Sequence, residues 1–163
     1  MIHRGHNLNP CIVQSYINEK HFATCRGDGL LAATPTGSTG YNLSAMGPMV
    51  SPGLRAINFT PISMNVPLSF RPLVLPAQDV TIRLEILDAR RGLKEDCHDE
   101  TLTNGHEVGI AAFDSVRSIT LVRNDIVTVR ESPVSIVTFM RESALSDWID
   151  HINKRANFNP PNI

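Results

Sequence analysis

Short runs of β-branched and apolar residues recur along most of the chain, and this pattern constrains the fold more than any other feature. In the clearest run, residues 80–86, apolar and polar residues alternate strictly, which predicts a strand with one face on a core and the other in water. Asp, Asn, Ser and Pro separate the runs and favour turns. We predict strands at 11–17, 21–25, 30–34, 56–60, 73–75, 80–86, 108–113, 118–122, 126–130 and 134–139.

Only two segments favour a helix. Near the end of the chain, Ser143 is typical of a helix cap, and apolar residues follow it at helical spacing at 145, 148, 149 and 152. The helix would end at Asn-Pro-Pro, residues 159–161. A shorter helix is predicted at 39–45. A mainly β chain with so few helices predicts a two-sheet, sandwich-like fold and not a parallel, doubly wound sheet.

Composition excludes several classes of partner. The 163 residues carry 15 basic and 16 acidic side chains, so there is no basic field to attract nucleic acid or an anionic membrane. Cys11, Cys25 and Cys97 are odd in number and form no C-x-x-C pair, which argues against a disulfide framework or a zinc ribbon. No stretch is long and apolar enough for a membrane span. We therefore expect a soluble, cytoplasmic protein without nucleic-acid or membrane partners.

The segment most indicative of chemistry is 26–48, with the sequence RGDGLLAATPTGSTGYNLSAMGP. A short apolar strand leads into a turn in which Gly37 lets the main chain approach a ligand closely. Ser38 and Thr39 add hydroxyls near the predicted helix start, and Tyr41 offers a flat ring for a base. The residues alone fit equally well a strand-to-helix turn with Ser and Thr caps, so both interpretations stay open.

Several motifs in fixed order resemble the NAD kinase family. Gly27-Asp28-Gly29 and the string TPTGSTGY at 34–41 resemble the signature of that family. Further matching landmarks lie at 1–5 (MIHRG), 68–76 (LSFRPLVLP), 112–114 (AFD), 124–125 (ND) and 146–148 (SDW). The resemblance is to the C-terminal domain of a eukaryotic-like NAD kinase, and it covers nearly the whole chain except an acidic stretch at 90–107, which resembles an inserted loop.

The resemblance implies both a fold and a reaction. Residues 1–163 would form a single β sandwich-like, dinucleotide-binding domain that sits against an α/β N-terminal domain. The family transfers a phosphoryl group from ATP, or in some members polyphosphate, to the adenosine ribose 2′-hydroxyl of NAD, giving NADP with the help of magnesium. Its Gly-Gly-Asp-Gly-Thr motif supplies the base, and its Asn-Glu pair would just precede Met1. We therefore expect no catalytic residue in this chain, a missing N-terminal domain and little activity of the chain alone.

The resemblance also assigns individual residues. Asp28 would reach the nicotinamide end of NAD, often from a neighbouring subunit, which implies a homo-oligomer. Arg26 could pair with a phosphate, although a lone exposed arginine is more often solvated. The adenosine part would be lined by Thr36, Thr39, Gly40, Tyr41, Asn42 and Ser44.

Alternatives and departures accompany this assignment. The chain could be a non-catalytic NAD- or NADP-binding or oligomerisation module, or a related lipid kinase domain, although it lacks a basic amphipathic segment. Asp28 could be an ordinary turn aspartate. Gly40 and Met46 stand where the family commonly has Ala and Gly. No metal site is predicted, because the spacing of Cys97, His98, Asp99 and His106 is not typical of structural zinc.

Overall fold

The computed structural model describes residues 1–87, 107–114 and 116–156, and these form two antiparallel sheets followed by a helix. The strands are β1 (Ile2–His3), β2 (Cys11–Ile17), β3 (Lys20–Gly27), β4 (Gly29–Ala33), β5 (Ala56–Ile62), β6 (Leu73–Pro76), β7 (Thr81–Leu87), β8 (Gly109–Phe113), β9 (Arg117–Leu121) and β10 (Ile126–Arg130). The helices are α1 (Tyr41–Ser44), which follows a 3-10 helix at Thr36–Thr39, and α2 (Ala144–Ala156).

Each sheet is held by antiparallel pairing throughout. The six-stranded sheet has the order β6-β5-β4-β1-β8-β9, and the four-stranded sheet has the order β10-β7-β2-β3. The tight β2–β3 connection places Asn18 and Glu19 at φ angles of 48° and 61°, the left-handed conformation that two-residue hairpin turns require. The predicted two-sheet fold is therefore confirmed, and it brings β4 and β5 together as neighbours.

The core lies between the two sheets, because the alternation predicted from the sequence turns one face of each strand inward. On β7, Ile82, Leu84 and Ile86 are buried while the residues between them are only partly covered. Leu30 and Phe59 meet them from the six-stranded sheet. Burial of such side chains stabilises each by about 1.5–3 kcal/mol relative to exposure, so this shared core holds the sheets together.

Two cysteines belong to this core. Burial raises the pKa of the Cys11 thiol to about 11, and burial also raises the pKa of Cys25. Both are free cysteines, and Cys11 donates a weak hydrogen bond to the carbonyl oxygen of Gly27 across the hairpin at 3.4 Å. They therefore act as small apolar side chains that stay protonated near neutral pH.

The predicted strand at 134–139 is wrong. These residues form no strand, and Val134, Ile136 and Phe139 are exposed. Pro133, just before them, has no backbone N–H to offer a ladder, and no described strand pairs with the segment. Apolar, β-branched composition alone was therefore insufficient, because a strand needs a partner.

The C-terminal helix is confirmed where it is described. Its predicted cap is present, since the backbone N–H of Ser146 donates to the Ser143 hydroxyl at 3.1 Å, and Ile152 on its apolar side is buried. The predicted stop at 159–161 lies outside the described residues, as does the predicted insertion at 90–107 apart from Glu107. None of the described helices combines the length and apolar character that crossing a membrane requires.

Candidate functional site

The glycine- and hydroxyl-rich turn lies against the face of the six-stranded sheet that points away from the core. We call residues 34–50 the turn segment; it leaves β4, passes through the 3-10 helix and α1, and returns toward β5. On β5, Phe59 faces the core, whereas Asn58 and Thr60 on the opposite face are fully buried. Because Thr60 bonds to the turn segment, this burial places the segment over the outer face of β5.

The inner side of the turn segment is fixed by two buried polar residues. The Ser38 hydroxyl donates to the carbonyl oxygen of Pro35 at 2.6 Å and accepts the backbone N–H of Val50 at 2.9 Å. The Asn42 amide nitrogen donates to the carbonyl oxygens of Ser38 and Pro48 at 3.2 and 3.0 Å. Burying such groups is tolerable only because each has partners, so this network ties both ends of the segment together.

The outer side of the turn segment is open to solvent. Thr36, Gly40, Tyr41 and Ser44 are exposed, and Thr39 is partly exposed. The Thr34 hydroxyl accepts the backbone N–H of Gly37 at 3.1 Å and lies 3.0 Å from the Thr36 hydroxyl, which holds the start of the turn in shape. The exposed hydroxyls and the Tyr41 ring are therefore presented on a backbone that is fixed from beneath.

The helix predicted at 39–45 is shorter than expected and is capped differently. The chain makes a 3-10 helix at Thr36–Thr39, breaks at Gly40 and then forms α1, and the N-cap residues Pro35 and Gly40 make no side-chain capping bond. The Ser38 hydroxyl binds Val50 instead, as described above. The capping-turn interpretation left open by the sequence therefore accounts for the Thr34 hydroxyl, which accepts the backbone N–H of Gly37, but not for the Ser38 hydroxyl, which binds Val50.

Tyr41 borders a cleft of about 410 Å³, within the range of small-molecule sites. The cleft runs beside the core, and its walls include Leu30 and Val127 from the two sheets. Asp114 and Arg130 contribute opposite charges to its lining. Tyr41 is 53% exposed, so its side chain is free to contact a molecule that enters.

Asp28 and Arg26 lie elsewhere. The Asp28 carboxylate accepts a hydrogen bond from Nε of the Arg4 guanidinium at 2.8 Å. In this ion pair the side chain of Asp28 is 44% exposed and that of Arg4 is 36% exposed. Asp28 stands just before β4 and the turn segment begins just after it, so this extended strand separates them by roughly 15–20 Å. Within one chain the structure therefore brings together the predicted residues from Thr36 to Ser44, but not Asp28 or Arg26.

The glycines around Asp28 are required by close backbone approach. A Cβ on Gly29 would overlap the carbonyl oxygen of Ile2, and a Cβ on Gly27 would lie 2.9 Å from the Cα of Met64. The Gly-Asp-Gly string is thus fixed by packing between β1, β4 and the residues after β5.

Sequence reasoning missed two residues of the site. Thr60 was predicted only as part of a strand, although two polar side chains at alternate positions of a largely apolar strand, Asn58 and Thr60, could have indicated a polar layer. Gly47 was not singled out either, yet a Cβ there would lie 2.5 Å from Cγ and Nδ2 of Asn42. Both contact the same amide, which makes Asn42 the centre of the inner side.

Comparison with known proteins identifies the family. The family model described as ATP-NAD kinase C-terminal domain matches residues 1–141. The chain belongs to the NAD kinase family. An ATP-NADH kinase of Saccharomyces cerevisiae is 34% identical over 92% of the chain, and an NAD(+) kinase of the same yeast is 32% identical over 97%. This member of the NAD kinase family spans 27% and 26% of the length of those two relatives.

Solved structures agree with this assignment. The crystal structure of yeast NADH kinase complexed with NADH matches 98% of this NAD kinase family chain with a TM-score of 0.77 and 32% identity, and the match covers 41% of that structure's chain. An NAD kinase from Archaeoglobus fulgidus in complex with ATP matches with a TM-score of 0.72 and 22% identity, and so shares the fold. The predicted family and fold are both confirmed.

Proposed function

We propose that this chain is the dinucleotide-binding part of an NAD kinase, in which the adenosine half of NAD is held while its ribose 2′-hydroxyl accepts a phosphoryl group from ATP. The observation that carries the proposal is the outer side of the turn segment, where exposed hydroxyls and Tyr41 lie on a backbone fixed from below and Tyr41 borders a cleft. The similar NADH-bound yeast structure and the ATP-bound archaeal structure support it.

Each exposed residue of the turn segment has a chemical role in this proposal. The Tyr41 ring packs against the adenine base, a contact worth about 1–3 kcal/mol in other nucleotide-binding proteins. The hydroxyls of Thr36, Thr39 and Ser44 bind polar edges of the adenosine. Gly40 leaves the backbone open to close approach, since it carries no side chain.

The transfer itself depends on groups outside these residues. Phosphoryl transfer requires a carboxylate to take the hydroxyl proton and cations to neutralise the phosphates. The described part of the chain contains no cluster of His, Cys, Asp or Glu that could hold a metal ion, so we assign no magnesium ligand here. Magnesium would enter with the ATP phosphates, and this chain would bind and orient the acceptor. We expect little or no turnover by this chain alone.

Calorimetric titration of the chain with NAD, NADH and NADP tests the binding role. Tyr41→Ala should raise the Kd for NAD about tenfold or more, because stacking of 1.4 kcal/mol is worth a factor of ten. Tyr16→Ala is the matched control, since Tyr16 lies on β2 of the other sheet, under the Arg83 guanidinium. Equal affinities of Tyr41→Ala and the wild-type chain would contradict the proposed base contact.

An NADP-formation assay with ATP and magnesium tests whether this chain binds the acceptor while the catalytic base lies outside it. Robust turnover by this chain without added protein would show that the base lies within it and would overturn that part of the proposal. Tight NAD binding without turnover, even after addition of an N-terminal NAD kinase domain, would favour the alternative of a non-catalytic dinucleotide-binding module.

We also propose an assembly and a cellular location for the chain. The separation of Asp28 from the turn segment supports a homo-oligomer in which Asp28 of one subunit approaches the dinucleotide held by another. Arg26 is exposed next to it and could contact a phosphate. Two buried free thiols support a reducing compartment such as the cytoplasm. Light scattering of the purified chain, with and without NAD, would test the oligomer, and a strictly monomeric mass under both conditions would refute it.

A further inference from the structure

A buried hydrogen bond joins the turn segment to the sheet beneath it. The Thr60 hydroxyl donates to the Asn42 side-chain oxygen Oδ1 at 2.7 Å, and both residues are at most 1% exposed. This is a direct side-chain link between α1 and β5, formed between residues 18 positions apart. Since water does not reach it, the bond is not weakened by competition with solvent.

The other atoms of the Asn42 amide are also in use. Its nitrogen Nδ2 carries two N–H groups, and these donate to the carbonyl oxygens of Ser38 and Pro48. The backbone carbonyl oxygen of Asn42 accepts the N–H of Gly47 at 2.8 Å. No donor of the Asn42 side-chain amide is therefore left for a ligand.

The direction of Asn42 fixes the direction of its neighbours. Successive residues of a helix point about 100° apart, so a side chain anchored inward at position 42 directs positions 41 and 44 to other sides. Tyr41 and Ser44 are correspondingly exposed, and Tyr41 borders the cleft. With only four residues, α1 has too few internal hydrogen bonds to hold its own orientation.

We infer that Asn42 and Thr60 are positioning residues for the adenosine site: their buried hydrogen bond sets the rotation of α1 on β5 and thereby aims the Tyr41 ring at the cleft. The inference rests on the proposed function, because it assumes that Tyr41 contacts the nucleotide. It assigns a role to Thr60, which does not border the cleft, and it replaces the direct ligand role predicted for Asn42.

Thr60→Val tests the inference, because it keeps the shape of the side chain and removes the hydroxyl that donates to Asn42. Thr60→Ser, which restores the hydroxyl, is the rescue variant. Ile82→Val in β7 is the control for loss of stability, since it trims the core away from the turn segment. The Kd for NAD is measured by calorimetry on the whole chain at a temperature where every variant is folded, and hydrogen exchange of the amides at 36–47 is measured without ligand.

We expect Thr60→Val to weaken NAD binding about five- to tenfold and to speed exchange at 36–47, with both effects reversed in Thr60→Ser. Ile82→Val should unfold more easily but keep the wild-type Kd and the wild-type exchange at 36–47. A Thr60→Val chain with unchanged Kd and unchanged local exchange would overturn the inference. If the wild-type chain binds no NAD, the proposed function fails, and unchanged exchange in Thr60→Val would separately refute the positioning role.

Discussion

Replacing Gly47 by Ala should be among the most damaging single-methyl changes in the described part of this chain. The new Cβ would lie 2.5 Å from both Cγ and Nδ2 of Asn42, well inside van der Waals contact. The amide cannot move aside without leaving the Thr60 hydroxyl and the carbonyl oxygens of Ser38 and Pro48. At about 1 kcal/mol for each hydrogen bond lost in a buried site, we expect destabilisation of about 3 kcal/mol.

Urea unfolding followed by circular dichroism measures this change, and a thermal melt should show a Tm lower by about 6–12 °C. Gly53→Ala is the matched control, because its Cβ would meet nothing closer than the Ser51 hydroxyl at 3.9 Å; it should stay within about 0.5 kcal/mol of wild type. In an Asn42→Ala background, Gly47→Ala should lower the free energy of unfolding by less than about 1 kcal/mol more, since the Asn42 amide that the new Cβ would overlap is absent. A wild-type stability of Gly47→Ala, or strictly additive effects in the double variant, would refute the reasoning.

Three further changes should give outcomes of different kinds. Met46 is 85% exposed and has a φ of 63°, a left-handed conformation that glycine adopts without strain. Met46→Gly should therefore raise the free energy of unfolding by about 0.5–1 kcal/mol. A loss of stability in urea would contradict this. Because burial raises the pKa of Cys11 from 9.0 to about 11, the folded chain keeps a proton that the unfolded chain releases. Cys11 should therefore contribute nothing to the pH dependence of stability below about pH 9 and should by itself lower the free energy of unfolding by up to about 1.4 kcal/mol per pH unit between pH 9 and 11. Cys11→Ala should reduce this loss of stability at alkaline pH but not abolish it, since the pKa of Cys25 is raised as well. Asp28→Asn should lower the free energy of unfolding by less than about 1 kcal/mol in low salt, because the ion pair of Asp28 with Arg4 is partly exposed. In about 0.5 M NaCl the loss should almost vanish, since salt screens exposed charges. A loss that does not depend on salt would indicate another role of Asp28 in folding.

The sequence was most informative where local chemistry decides the structure. The alternation at 80–86 predicted β7 to within one residue, and Ser143 predicted the cap of α2, because both depend on neighbours along the chain. The two-residue β1 was missed, since a strand that short has no periodicity to detect. Residues 134–139 have a strand-like composition, but pairing depends on what lies beside them in space.

In the candidate site too, the sequence predicted what depends on local chemistry but not what depends on distant contacts. The motif at 34–41 located the turn segment, yet nothing in its order distinguishes the hydroxyls that face solvent from those used internally. Ser38 and Thr39 are adjacent and chemically alike, but Ser38 is buried against Val50 whereas Thr39 is partly exposed. That difference arises from the loop that returns beneath α1, a contact between distant parts of the chain. The departure at Met46 was visible in the sequence, but its left-handed backbone was not.

The two-sided construction of the turn segment separates what must be kept from what can change. Substitutions at the solvent-facing positions Thr36, Tyr41 and Ser44 touch none of the groups that attach the segment to β5, so they can alter recognition while the scaffold stays intact. At the proposed adenosine site, the same architecture could then acquire a preference for a different nucleotide through successive single substitutions. Engineering of substrate preference at the proposed site would begin with those three positions.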